Sequence, residues 1–222
     1  QRQMCIRDSS DSGGIAVNVA GLDIRRVLAL KDAGRSVAAY PEFGYSGAPA
    51  SALLEEVSAD LLIDASPANL TDGQPGLGCI EAALSRGMHV VTANKAPLVL
   101  AYPRLQELAN AQGVGLRFDA TVAGGLPAVN LGRRDLAAAH IGRIEGVLNL
   151  TTNYILTRMA EGRTYEEALA AAQKAGHAEA DPTLDVDGWD AASKLIILAH
   201  SVLHYPATLD DVEVQGLSLI HI

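Results

Sequence analysis

The stretch Met88-His89-Val90-Val91-Thr92-Ala93-Asn94-Lys95-Ala96-Pro97 joins a short apolar run to a polar loop and a proline. Apolar runs of this length are typical of buried strands, and proline is favoured in the first turn of a helix. Similar apolar runs occupy residues 60–64 and 114–118, and helical patterns occupy residues 78–86 and 97–112. Strands and helices that alternate at this spacing predict a parallel sheet built from βαβ units.

The chain on either side of this sheet completes the predicted organisation. Upstream, residues 21–32 are predicted to be helical, and residues 36–40 and 50–58 to complete an earlier unit. Downstream, we expect a helix at residues 126–139, a long strand at 141–150, helices at 154–161, 165–175 and 187–204, and another strand starting near residue 212. The predicted fold class is α/β. An incomplete Rossmann-type domain over residues 10–120 precedes an α+β substrate and dimerisation domain over residues 121–216.

We expect the two ends of the chain to have an origin outside the natural protein. Gln1-Arg2-Gln3-Met4-Cys5-Ile6-Arg7-Asp8-Ser9 and Leu217-Ser218-Leu219-Ile220-His221-Ile222 are the translations of opposite strands of one transposon-based sequencing adaptor. We interpret residues 1–9 and 217–222 as adaptor-derived scars and set them aside from the fold prediction. On this interpretation, residues 10–216 are an internal fragment of a longer protein.

Composition excludes several classes of partner. The chain carries a net charge of −9 without basic clusters, which argues against nucleic acid and anionic membranes as partners. Its apolar runs are too short to span a membrane. With residues 1–9 set aside, Cys79 is the remaining cysteine. It lies in an apolar helical pattern and is predicted to pack rather than react. A single free cysteine suits a reducing cytoplasm.

Two loops follow strands at the edge where parallel sheets bind ligands. In doubly wound sheets the ligand lies outside the carboxyl ends of the strands, and residues 65–69 and 92–97 occupy that position. The phosphate-binding pattern G-x-G-x-x-G is absent, and Ser12-Gly13-Gly14 lacks the preceding strand. We therefore expect the chain to begin downstream of that loop.

A second polar region lies in Gly176-His177-Ala178-Glu179-Ala180-Asp181-Pro182-Thr183-Leu184-Asp185-Val186-Asp187-Gly188-Trp189-Asp190-Ala191-Ala192-Ser193-Lys194. Asp190 and Lys194 are four residues apart and share one helix face, a spacing also common in surface salt bridges. Asp181, Asp185 and Asp187 suit turn and N-cap positions. Glu179 lies on the preceding loop, so the region could hold a small zwitterion.

This block closely resembles the substrate loop and catalytic helix of homoserine dehydrogenases. Residues 89–98, 119–127 and 146–156 are similar to three further segments of the same family, in the same order. Three positions depart from the usual pattern: Asp119 replaces a glutamate, Leu150 a glycine, and His177 an aromatic residue such as tyrosine.

The resemblance implies a role for each candidate site residue. Lys194 would be the acid–base residue and Lys95 a second catalytic lysine beside the nicotinamide, while Glu179 and Asp190 would bind the substrate's amino group. The cofactor NADP or NAD would contact Ser66, Thr92, Lys95 and Gly176. A monovalent cation such as Na⁺ would be bound by Asp119, Val122, Gly124 and Leu126.

The implied reaction interconverts L-homoserine and L-aspartate 4-semialdehyde with NAD(P)(H), in threonine and methionine biosynthesis. The full-length protein would be a cytoplasmic homodimer, and an ammonium would stabilise charge on the carbonyl oxygen. Three alternatives remain open: another nicotinamide oxidoreductase acting on a different amino or hydroxy acid, a non-catalytic ligand-sensing or interaction module, and an inactive truncated fragment.

Overall fold

The computed structural model describes residues 5–217, without the side chains of Glu55 and Glu56. Two compact units make up the chain. The first contains the chain up to Pro97 together with Arg104–Arg117, and the second contains Leu98–Pro103 and the chain from Phe118 onward. Residues 1–4 and 218–222, which belong to the two adaptor-like segments, lie outside the described residues.

The first unit opens with an antiparallel sheet of three strands, β1 (Asp8–Asp11), β2 (Gly14–Val17) and β3 (Gly44–Ser46), in that order. Asp8 pairs with Val17 and Gly14 with Ser46. The earlier unit expected from the sequence is therefore antiparallel, and a 3₁₀ turn occupies Val37–Ala39. Although we set residues 1–9 aside, Asp8 and Ser9 lie in this sheet.

Two helices, α1 (Ile24–Asp32) and α2 (Ala50–Glu56), follow in this part of the chain. α1 starts three residues later than the sequence predicts, because the Asp23 carboxylate accepts a hydrogen bond from the Arg25 N–H and caps the helix. A small core forms here from the buried side chains of Ala16, Leu22, Val37 and Tyr40.

The parallel sheet predicted from the sequence is confirmed. Its strands are β4 (Leu61–Asp64), β5 (His89–Thr92) and β6 (Leu116–Arg117), in the order β4-β5-β6. Leu61 pairs with His89, and Val90 with Leu116. Helices α3 (Gly76–Ser85) and α4 (Ala96–Gln112) connect the strands, and the order of strand and helix is that of a Rossmann-type fold. The carboxyl ends of β4 and β5 therefore lie side by side.

The second unit is built from helices. They are α5 (Ala120–Ala123), α6 (Ala128–Asn130), α7 (Leu150–Ala160), α8 (Tyr165–Lys174), α9 (Thr183–Val186) and α10 (Trp189–Ser201). α8 begins with a capping box in which the Thr164 hydroxyl and the Glu167 carboxylate satisfy each other's backbone N–H groups. α7, α8 and α9 share a core formed by Ile155, Ala168, Ala172, Ala178, Val186 and Leu217.

Three predictions for this unit are wrong. The helix expected over residues 126–139 is a short turn of α6 followed by a π-helical turn at Leu131–Asp135. Residues 141–149 form no strand, and neither do residues 212–215. A strand requires a hydrogen-bonded neighbour, and none lies beside residues 141–149 in the described part of the chain. Val147 is accordingly 73% exposed.

No helix among residues 5–217 is both long and apolar enough to cross a membrane.

Candidate active site

Four polar side chains form one hydrogen-bonded network where β4 and β5 end. The Thr92 hydroxyl donates to Asp64 Oδ2 at 3.0 Å, and the Ser66 hydroxyl donates to Asp64 Oδ1 at 2.7 Å. The Asn94 amide donates to the Ser66 hydroxyl at 3.0 Å. We call Asp64, Ser66, Thr92 and Asn94 the strand-end network. It holds the two loops together at the sheet edge where Rossmann-type folds bind ligands.

The strand-end network also fixes the start of α4. Asn94 Oδ1 accepts a hydrogen bond from the Ala96 N–H at 3.0 Å. The residues on both sides of Lys95 are therefore held by hydrogen bonds. Lys95 itself is partly buried. Thr92 is 1% exposed, so its hydroxyl holds the loop in place rather than facing solvent. Ser66, which is partly exposed, lies on the outer side of the network.

Cys79 lies on α3 close to this network. The thiol is buried, and burial raises its pKa, with the nearby negative charge of Asp64 raising the pKa further. Because the thiolate is the reactive form, a raised pKa keeps Cys79 unreactive. The prediction that this cysteine packs rather than reacts agrees with its burial in the helix.

The second unit brings Asp190 and Lys194 together on α10. Lys194 Nζ lies 2.7 Å from Asp190 Oδ2, and each side chain is 14% exposed. The ammonium also donates to the backbone carbonyl of Leu148 at 2.5 Å. The four-residue spacing predicts this pair, but the low exposure distinguishes it from an ordinary surface salt bridge. An ammonium held this way can stabilise negative charge that develops on a nearby oxygen.

Asn149 extends the pair into a larger cluster. Its amide nitrogen donates to Asp190 Oδ2 at 2.9 Å and to Asp185 Oδ1 at 2.6 Å. Its amide oxygen accepts from the Thr152 N–H at 2.8 Å and caps α7. We call Asn149, Asp185, Asp190 and Lys194 the carboxylate–lysine cluster. Asn149 is 6% exposed, so the cluster is built around a buried amide.

Asp185 is more than the turn residue expected from the sequence. Besides its bond from Asn149, Asp185 Oδ2 accepts from the Thr151 hydroxyl at 2.8 Å. That hydroxyl shares its single proton with the backbone carbonyl of His177, 2.6 Å away. The Thr151 hydroxyl on α7 therefore contacts both Asp185 on α9 and the loop that precedes α9. Asp181, in contrast, does form a turn. Its carboxylate accepts from the Thr183 hydroxyl at 2.5 Å and from the Thr183 N–H at 3.1 Å, and these two bonds lower its pKa.

The loop between α8 and α9 carries the remaining predicted substrate and cofactor residues. Gly176 is exposed with a φ of +73°, a left-handed conformation that favours glycine. The His177 ring packs against Tyr154 with centroids 5.1 Å apart. Glu179 is exposed, and its backbone carbonyl accepts from Gln173 Nε2 at 3.2 Å. Its carboxylate therefore lies on the solvent-facing side of the loop.

The predicted cation ligands lie on one short segment around α5. Asp119 Oδ1 accepts from the Asn130 N–H at 3.0 Å, and the Leu126 carbonyl accepts from the Ala128 N–H at 2.9 Å. Val122 is buried, while Gly124 has a φ of +59° and turns the chain sharply. A carboxylate and three carbonyl oxygens form an all-oxygen donor set, which suits a hard cation.

The structure places the predicted residues in two groups. Ser66, Thr92 and Lys95 belong to the first unit, whereas Gly176, Glu179, Asp190 and Lys194 belong to the second. Sequence reasoning missed Asp64, Asn94 and Asn149 as organising residues. The position of Asp64 at the carboxyl end of an apolar strand was a usable signal for the first. For Asn149 the only local signal was its suitability as a helix cap.

Comparison with known proteins gives a consistent result. The family model described as homoserine dehydrogenase matches residues 127–222. The homoserine dehydrogenase of Methanocaldococcus jannaschii is 42% identical over 95% of this chain and 63% of its own length. The NAD(+)-dependent homoserine dehydrogenase of Pseudomonas canavaninivorans is 37% identical over 93% of this chain and 58% of its own length.

Solved structures agree with these sequence relatives. A hyperthermophilic archaeal homoserine dehydrogenase in complex with NADPH superposes with a TM-score of 0.83 and 29% identity, over 96% of this chain and 64% of that chain. The chain thus spans somewhat less than two thirds of the length of these relatives. The matches cover both the parallel sheet and the carboxylate–lysine cluster, and so this chain is similar to homoserine dehydrogenases in both sequence and structure.

Proposed function

We propose that this chain catalyses the interconversion of L-homoserine and L-aspartate 4-semialdehyde, with NAD or NADP as the hydride carrier. The observation that supports this most strongly is the partly buried Lys194 ammonium, which is bonded to Asp190 and to the Leu148 carbonyl. Two of its three N–H groups are used in this way among the described residues, and we propose that the third meets a substrate oxygen.

Lys194 is the proposed acid–base residue. When the aldehyde is reduced, negative charge builds on the carbonyl oxygen, and a fixed ammonium stabilises that charge and delivers the proton. In the reverse direction the neutral amine of Lys194 accepts the hydroxyl proton and becomes the ammonium. Glu179 and Asp190 provide the carboxylates proposed to bind the substrate's ammonium group, a role that suits the exposed position of Glu179.

We assign cofactor binding to Ser66, Thr92, Lys95 and Gly176. The cofactor supplies or accepts the hydride. Ser66 and Lys95 lie on the loops at the sheet edge, while Thr92 contributes by holding the Asp64 carboxylate. Gly176 has no side chain and a left-handed φ, so its backbone is open to close approach. An NAD(+)-dependent relative and a relative bound to NADPH are both known, so both cofactors should be tested.

We also assign a monovalent cation such as Na⁺ to Asp119 and the carbonyl oxygens of Val122, Gly124 and Leu126. Asp119 and Leu126 already accept one hydrogen bond each. Carboxylate and carbonyl oxygens keep further lone pairs, so these bonds are compatible with a ligand role. A homodimer and a cytoplasmic location complete the proposal, on the grounds of the family and of its role in threonine and methionine biosynthesis.

The test of the proposed reaction is a pair of lysine variants. We expect the chain to reduce NAD⁺ or NADP⁺ when L-homoserine is added, and Lys194→Ala to lower kcat by about 10²- to 10⁴-fold, the usual contribution of a general acid–base group. Lys174→Ala, which removes an exposed lysine from the last turn of α8, is the control and should keep full activity.

Equal activity of the two variants would contradict the assignment of Lys194. L-homoserine binding by the unaltered chain without any turnover would instead favour a ligand-sensing module.

A further inference from the structure

One residue organises the carboxylate–lysine cluster from outside α10. Asn149 lies 41 residues before Asp190 in the sequence, yet its amide nitrogen is 2.9 Å from Asp190 Oδ2. The same carboxylate oxygen is 2.7 Å from Lys194 Nζ. Asp190 Oδ2 therefore receives two donors, one neutral and one charged, and their positions set the direction of the carboxylate.

The second N–H of the Asn149 amide is also used. It donates to Asp185 Oδ1 at 2.6 Å, so a single buried amide lies between two carboxylates. Like charges at such short range repel strongly when they are shielded from water. A neutral double donor relieves this repulsion without adding a titrating group, which neither a lysine nor a histidine could do.

Leu148, the residue before Asn149, contacts Lys194, the second member of the Asp190–Lys194 pair. The Leu148 carbonyl accepts from Lys194 Nζ at 2.5 Å, while Asn149 donates to Asp190. Two consecutive residues thus hold both members of the Asp190–Lys194 pair. Capping of α7 by the Asn149 side chain fixes the position of these two residues, because the amide oxygen accepts from the Thr152 N–H.

We propose that Asn149 is a positioning residue for the reaction: its amide orients Asp190 and thereby holds the Lys194 ammonium in its productive direction. This inference rests on the proposed function of Lys194. Asn149 is not assigned any contact with substrate or cofactor. Misplacing a catalytic group by about 1 Å can cost about 100-fold in rate, so a positioning residue can have a large effect.

The experiment separates capping from positioning. Serine also caps helices well but cannot donate to both carboxylates, so Asn149→Ser keeps the cap of α7 and loses the bridge. Asn153→Ser is the matched control, because Asn153 is an exposed asparagine on the same helix. Assayed well below its thermal midpoint, Asn149→Ser is expected to lower kcat by about 10- to 100-fold and to raise KM, because Asp190 is also a proposed substrate ligand. Its thermal midpoint should fall, because Asp185 and Asp190 lose their shared donor. Asn153→Ser should change none of these.

Asn149→Asp provides a second variant. Aspartate also caps the helix, but it places a third carboxylate against Asp185 and Asp190, so kcat should fall further than in Asn149→Ser. Wild-type kcat in both variants would overturn the proposal. A fall in kcat no larger than the loss of folded chain at the assay temperature would overturn it too, because that result indicates a structural role alone.

A crystallographic readout keeps the inference testable independently of activity. In Asn149→Ser we expect the distance between Lys194 Nζ and Asp190 Oδ2 to lengthen beyond a hydrogen bond. If the unaltered chain shows no homoserine-dependent reduction, the proposed function fails. The distance then decides the positioning role: a pair unchanged from that in the unaltered chain overturns it.

Discussion

Some side-chain contacts in this chain join residues that are close in the sequence, and others join residues that are far apart in it. The Asp190–Lys194 pair is predictable because four residues are about one helical turn, so both side chains share a face of α10. The contacts of Asn149 are not predictable in this way, because Asp185 and Asp190 lie 36 and 41 residues further along the chain. No short-range pattern encodes a bond across such a separation.

Asp11 shows how a single carboxylate can make the stability of the chain depend on pH. Its burial raises the pKa, but hydrogen bonds from Lys31, Ser36 and the backbone N–H groups of Val37 and Gly13 outweigh this and hold the pKa well below the usual value of 3.8. Lys31 Nζ lies 2.5 Å from Asp11 Oδ2. A carboxylate whose pKa is lowered on folding stabilises the folded state above its unfolded pKa and loses this contribution as the pH falls.

We therefore predict that the free energy of unfolding decreases as the pH is lowered from about 4, and that Asp11→Asn removes part of this dependence. At neutral pH the variant should be less stable by about 1–3 kcal/mol, since it weakens charge-assisted hydrogen bonds. Urea unfolding at neutral and acidic pH measures both effects. Asp32→Asn, at an exposed site on α1, is the control. Identical pH dependence in the two variants would contradict the role of Asp11.

At the scale of elements, the segments with strong local signals match prediction and the others do not. α8 has a capping box and apolar residues at helical spacing, and it is found at Tyr165–Lys174 as expected. Residues 141–150 were predicted to form a strand, but a strand is stabilised only by a hydrogen-bonded neighbour. No such neighbour lies beside these residues in the described chain. Asn149 instead caps α7, which begins at Leu150.

Gly76, the first residue of α3, lies against the strand-end network. A methyl group there would lie 2.5 Å from Asn94 Nδ2 and 3.0 Å from Ser66 Oγ, both of which are tied into hydrogen bonds. We predict that Gly76→Ala lowers the free energy of unfolding by about 1–3 kcal/mol, the usual cost of overpacking. Chemical denaturation followed by circular dichroism provides the measurement.

Gly78→Ala is the matched control two residues along the same helix. Its added methyl group would meet only the flexible end of Gln74, which can move away. Because alanine is the better helix former, the control should be neutral or more stable by about 0.5–1 kcal/mol. If both variants were destabilised equally, the close approach of Gly76 to the network would not be the cause.

At the scale of the whole molecule, two compact units carry the two groups of candidate residues. The first unit holds the parallel sheet with the strand-end network, and the second holds the carboxylate–lysine cluster. Each has its own buried residues, such as Val90 and Leu116 in the first and Ile155 and Ala168 in the second. The boundary of the predicted domains, near residue 120, remains a prediction.

The two cysteines allow unfolding of the first unit to be followed directly. Cys5 is exposed, whereas Cys79 is buried and its thiol has a raised pKa. In a Cys5→Ser variant we expect Cys79 to react with a thiol reagent only as the chain unfolds, so that the labelling rate rises with urea in step with the loss of helical circular dichroism. Rapid labelling in the absence of denaturant would show that Cys79 is accessible in the folded chain.

The sequence by itself determined the parallel sheet and most of the helices, because hydrophobic periodicity, caps and prolines act over a few residues. It also indicated the family that the chain resembles, since the lysine, the carboxylates and their spacing lie within short segments. Only the tertiary structure decided that residues 141–149 are not a strand and that Asn149 joins Asp185 to Asp190. Both depend on which distant segments become neighbours, and hydrogen bonds across folded elements leave no periodic trace in the sequence.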